Sequence, residues 1–203
     1  MKNLLSLFLS SFLFLSCGEV NVKTINTVNK EDNRVEIIGA KKKKNHENIY
    51  SFEENLLAFN NCKKNEIGKG KCKEYIAKAV CEYYGIDDLK DNGNYLDYDK
   101  IPKRLKELKS WNNLGDFNEN NLNKALEKLN NFNKPVLIFN KDASYVHVVA
   151  LTPNGKSIKS GKWGNILVPT CVSYFPKRND SFTEKGMNYA FKSSENLTIW
   201  VKN

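Results

Sequence analysis

The sequence has no Cys-x-x-Cys pair and only two histidines, His46 and His147. Zinc sites are built from closely spaced Cys and His ligands, so neither a metal nor another cofactor is expected. There is no aromatic-basic RNA motif and no zinc-finger spacing, which makes nucleic acid a poor candidate partner despite the basic balance. No internal repeat is present, and only Lys41 to Lys44 forms a true charge run. The single long apolar run, Leu4 to Leu15, is too short to span a bilayer as a helix. What remains is a chain of 203 residues, 40% hydrophobic and 27% charged, with a formal charge of +9 and a pI near 9.2. That composition supports a packed core rather than global disorder. Its basic excess suits an anionic lipid surface or an anionic wall polymer.

Residues 1–16 read as an export signal, with Lys2 at the positive start and Leu4 to Leu15 as the apolar stretch. The segment ends in Phe14-Leu15-Ser16-Cys17. This resembles a bacterial lipoprotein signal, which implies cleavage before Cys17 and a lipid on that residue. An exported chain anchored in the bacterial cell envelope is therefore expected. Loss of Lys2 takes the charge from +9 to +8. Residues 17–48 have the composition of a flexible, basic tether, and His46 lies within it. A globular domain is expected over residues 49–203.

Within that domain helices come first and strands later. Ser51 and Glu54 have the spacing of a capping box, and Leu56, Leu57 and Phe59 follow them. Asp91-Asn92-Gly93-Asn94 is a turn signal. Ile101, Leu105 and Leu108 mark a helix, with Trp111 at its end and a loop over 112–118. Leu122, Ala125, Leu126 and Leu129 mark another. Pro135 to Phe139 and Ser144 to Leu151 read as buried strands, and Pro153-Asn154-Gly155 as a hairpin turn between Leu151 and Lys156. Ile166 to Val168 and Leu197 to Val201 read as further strands, with a loop over 174–185. Helices followed by an antiparallel sheet give an α+β class.

The stretch from Gly68 to Gly85 organises the chemistry. The Gly68-Lys69-Gly70-Lys71 turn runs into Cys72, and Ile76, Ala77, Val80, Cys81 and Tyr84 then recur at helical spacing until Gly85. A Cys at a helix start lies where the N–H groups and the dipole favour a thiolate. A small buried core residue fits the same place. His147 is the histidine in strand-like sequence, sharing a face with Tyr145, Val149 and Leu151. A thiol nucleophile needs an imidazole that takes and returns its proton, so Cys72 and His147 form the candidate pair. A hydrogen-bonded core histidine is the alternative role for His147.

With Gly68-Lys69-Gly70-Lys71-Cys72 and His147-Val148-Val149-Ala150-Leu151, the region from about Ile67 to Lys202 resembles the papain-like cysteine peptidases and amidases of bacterial cell walls, the CHAP and NlpC-type group, with the type VI secretion amidases as relatives. Val146 stands where that group usually has Gly. The resemblance implies a papain-like fold, with N-terminal helices packed on a small antiparallel sheet. It also implies a third, polar residue that orients the imidazole: Asn165 is the first choice, with Ser157 and Ser160 as rivals. The backbone N–H of Cys72 would serve as an oxyanion donor, with Asn65 or Tyr145 as a second. His147 would activate Cys72, a thioester would form on an amide carbonyl, and water would release it. Peptidoglycan stem peptides are the implied substrate.

The competing expectation is a non-catalytic surface lipoprotein that binds anionic wall polymer or a partner protein. Cys17 aside, Cys62, Cys72, Cys81 and Cys171 make an even count in an exported chain, which raises the prospect of disulfides. Cys72 and Cys81 on one helix would lie ~13 Å apart, beyond bridging range. Cys62 with Cys171, or Cys81 with Cys171, are the pairings considered.

Overall fold

A computed structural model describes residues 51–65, 72–141 and 146–203 of the chain. The leader, Cys17, the tether with His46, the Gly68 to Lys71 turn and Tyr145 lie outside the described residues.

The first helix, α1 (Phe52–Asn65), starts where the capping box places it. Glu54 N–H donates to Ser51 Oγ at 3.1 Å, and Ser51 N–H donates to Glu54 Oε2 at 2.6 Å. Helix α2 (Tyr75–Tyr84) buries Ile76, Ala77, Ala79, Val80 and Cys81. It ends at Gly85, whose φ of +63° is the left-handed stop that glycine allows without penalty. The two-residue strands β1 (Lys90–Asp91) and β2 (Asn94–Tyr95) close around Asn92-Gly93, both at positive φ, the geometry that two-residue hairpins select. Helices α3 (Ile101–Glu107) and α4 (Glu119–Phe132) follow the apolar spacing, and Asn118 Oδ1 accepts from Asn121 N–H to cap α4.

The strands are β3 (Trp111–Asp116), β4 (Val136–Asn140), β5 (Val148–Leu151), β6 (Ser157–Ser160), β7 (Ile166–Ser173), β8 (Phe182–Gly186) and β9 (Leu197–Lys202). They form a seven-stranded antiparallel sheet in the order β3-β9-β4-β5-β7-β6, with β8 paired to β7. The class is α+β. Two expected loops are strands. Residues 111–116 form an edge strand with a bulge between Asn113 and Gly115, and 182–186 form β8. Both are polar enough to read as loops, and it is pairing to β9 and β7 that orders them.

Pro153-Asn154-Gly155 makes no hairpin between β5 and β6. Both strands run antiparallel to β7, and Thr170 bonds Thr152 N–H and the Lys156 carbonyl on one side. The turn is therefore an excursion within one line of chain. Gly155 is required there, because a Cβ would come within 2.1 Å of Thr170 Oγ1.

Side chains alternate between two cores, as the pleat dictates. One core takes Leu137 and Phe139 of β4, Val148 and Ala150 of β5, and Trp200 of β9, against α1, α2 and α3. The other takes Val136 and Ile138, Val149 and Leu151, and Leu197, Ile199 and Val201, against α4 and residues 175–191. The central strands are apolar on both faces because both are covered. Aromatic contacts fix α1 to the first core: Phe52 stacks on Tyr83, Phe59 stacks on Tyr174, and Tyr174 OH donates to the Phe52 carbonyl at 2.8 Å. Among the described residues no helix is long and apolar enough to cross a membrane.

Candidate functional site

Cys72 lies two residues before the N-cap of α2, with φ at +62°, and is 6% exposed. Its sulfur is bonded to Cys62 near the end of α1, with a Cα–Cα separation of 6.1 Å. Neither pairing considered from sequence forms: Cys62 takes Cys72, and Cys81 and Cys171 are free buried thiols. Burial pushes the Cys81 thiol up to about 11, against weaker lowering by the Leu89 backbone, and raises Cys171 further still. Both are held as inert thiols. As half of a disulfide, Cys72 has no thiol proton to lose.

His147 precedes β5, and its ring lies in the second core. It stacks on Phe175 with centroids 4.5 Å apart and meets Phe191 edge-on at 5.5 Å. Extending the β5–β7 register brings Phe175 opposite His147. Nε2 shares a 2.8 Å hydrogen bond with Ser173 Oγ, and the backbone N–H donates to Asn140 Oδ1 at 2.7 Å. Burial, aided by the charge of Arg178, lowers its pKa to about 4. His147 is thus a neutral, hydrogen-bonded core imidazole at pH 7.

The structure does not bring the expected pair together. Cys72 belongs to the core on the helix α1–α3 face, and the His147 ring packs with side chains of the opposite core. The reason is the period of two along the strand. α2 packs over β5, and the positions that turn toward it are Val146, Val148 and Ala150. His147 falls between two of them and points the other way.

Asn165 does not join His147 either. It is exposed in the turn before β7, at φ +64°, whereas His147 is bonded to the last residue of β7. Eight residues of extended chain separate Asn165 from Ser173, roughly 25 Å. Ser157 and Ser160 lie on β6 and pair toward the same distant end of β7. Asn65 is exposed at the end of α1. Among the described residues no cluster of His, Cys, Asp or Glu could hold a metal ion.

One residue and one pairing that matter here, Ser173 and the bond of Cys62 to Cys72, escape the sequence reading. Ser173, the imidazole's hydrogen-bond partner, carries no local signal, because only the β5–β7 register puts it beside His147. Cys62 had one: it stands ten residues before Cys72, across a Gly-containing stretch short enough to close on itself. No protein-family model matches the chain, and no curated protein matches it.

Proposed function

We propose that this chain is a non-catalytic lipoprotein of the bacterial cell envelope, held by a lipid on Cys17, whose basic domain binds anionic envelope polymer. The observation that carries the reading is the fate of Cys72. Its sulfur is tied to Cys62, and the side chains of β5 that face its core are aliphatic. A papain-like hydrolase needs the thiol and the imidazole across one cleft, and the sheet lies between them in this fold. A disulfide also suits an oxidising compartment, in keeping with export. In residues 49–203 the surplus of 24 Lys and Arg over 18 Asp and Glu supplies attraction to wall phosphates or carboxylates without a shaped pocket.

The test is incubation of the purified protein with sacculi, with and without reductant. The reading predicts co-sedimentation that weakens as salt rises, because exposed charges are screened. It also predicts no release of soluble fragments. Fragment release by the wild type that disappears in Cys72→Ala would restore the hydrolase and remove this reading.

A further inference from the structure

The β6–β7 ribbon leaves large aliphatic side chains uncovered. Ile158 is 39%, Ile166 41% and Leu167 44% exposed, although each lies in a strand. The register places Ile158 opposite Val168, Lys159 opposite Leu167, and Ser160 opposite Ile166. Ile158 and Ile166 are therefore diagonal neighbours on one face, while Leu167 and Lys159 share the other. Branched aliphatics emerge on both faces of one ribbon, at the end of β7 away from Ser173.

Along the ribbon's own stretch of chain the charge has one sign. Residues 143–173 contain no Asp or Glu, and they carry three basic residues: Lys156, Lys159 and Lys162. Lys162, in the connecting turn, donates to the carbonyls of Asn188 and Phe191, which draws in the neighbouring turn with Tyr189, 59% exposed. Trp163 anchors the ribbon to the body through Nε1–H donating to the Lys192 carbonyl and an edge contact with Phe117. The ribbon is thus a held platform of aliphatic, tyrosyl and lysyl side chains.

We infer that the β6–β7 ribbon docks on an anionic lipid bilayer, its lysines at the headgroups and Ile158, Ile166 and Leu167 at the acyl boundary. Lysine combined with exposed aliphatic and tyrosine side chains matches the layered chemistry of that interface. A soluble anionic polymer would use the lysines and leave the aliphatics in water. A protein strand added along β6 would cover one edge and meet Lys159 there. The inference goes beyond the proposed function, because it concerns which surface meets the membrane and stands whichever polymer the domain binds.

The test uses the full chain with Cys17→Ser and Asn165→Cys, so that position 165 carries the reactive thiol while Cys62 and Cys72 are bridged and Cys81 and Cys171 are buried. An environment-sensitive fluorophore at 165 reads local insertion, independent of attachment elsewhere in the chain. The expected result is a blue shift with vesicles rich in phosphatidylglycerol and none with pure phosphatidylcholine. Substituting Ile158→Ser, Ile166→Ser and Leu167→Ser together should weaken the vesicle response at least about tenfold. Lys159→Glu should weaken it more than about fivefold, since one basic residue at an anionic surface contributes about that factor. No shift on anionic vesicles would overturn the inference, as would a shift that survives the triple serine variant or one produced by sacculi and not by vesicles. Those results leave the sacculus co-sedimentation test of the proposed function unaffected.

Discussion

The two faces of the sheet differ in how they treat a reactive residue. On the helix α1–α3 face, Cys72 is neutralised by covalent bonding to Cys62. On the α4 face, His147 is neutralised by burial, between Phe175 and Phe191 and against Ser173. One residue is locked by chemistry and the other by solvation. The lesson is that two side chains of the right types gain catalytic meaning only when they share a face. A displacement of one residue along a strand is enough to put the sheet between them.

The comparison can be broken from either side. The largest effect is expected from Phe59→Ala, which removes a fully buried ring between Tyr75 and Tyr174 on the Cys72 side. Denaturant unfolding should show a loss of about 4 kcal/mol. A loss under about 1 kcal/mol would mean that α1 does not pack as described.

On the other face the handle is pH. His147 titrates near 4 when folded against 6.5 when exposed, so the unfolded chain binds the extra proton between those values. Stability from this group is complete above about pH 6.5 and is lost as pH falls toward 4, a change of about 3 kcal/mol. Unfolding curves at pH 7 and pH 4.5 should show that decline in the wild type and much less of it in His147→Gln. An equal decline in both would place the linkage elsewhere.

Breaking the Cys62–Cys72 bond by Cys62→Ser with Cys72→Ser should cost a little under about 3 kcal/mol, the loop-closure value for so short a loop. It should leave the His147 pH dependence in place, because the two residues belong to separate cores. The smallest effect is expected at the capping box, where Ser51→Ala should lower the melting free energy by about 1 kcal/mol. Thermal unfolding followed by circular dichroism resolves both changes.

Much of the fold could be read from local pattern. Ser51 and Glu54, Gly85, Asn92-Gly93 and the apolar faces of α2 and α4 are short-range signals, and all of them act where expected. The buried strands β4 and β9 were visible as apolar runs. Edge strand β3 and strand β8 were not, since polar residues such as Asn112, Asn113, Glu184 and Lys185 extend only because a neighbour pairs with them.

The candidate site was legible in its residues and not in its assembly. His147 was placed correctly on the face of Val149 and Leu151, yet which face α2 covers depends on how helices dock, and that is a tertiary choice. Asn165 illustrates the same limit. A spacing in sequence along an extended strand becomes a long distance in space, and β7 carries Asn165 and His147 to opposite ends. The union of Cys62 with Cys72 needed only local closure, and it decides the status of the expected nucleophile.

The most direct measurement is differential alkylation of the native chain, followed by peptide mapping without reductant. The account predicts a linked peptide pair containing Cys62 and Cys72, with Cys81 and Cys171 modified only after denaturation. Rapid modification of Cys72 in the native protein at pH 6, with Cys62 recovered unlinked, would contradict it.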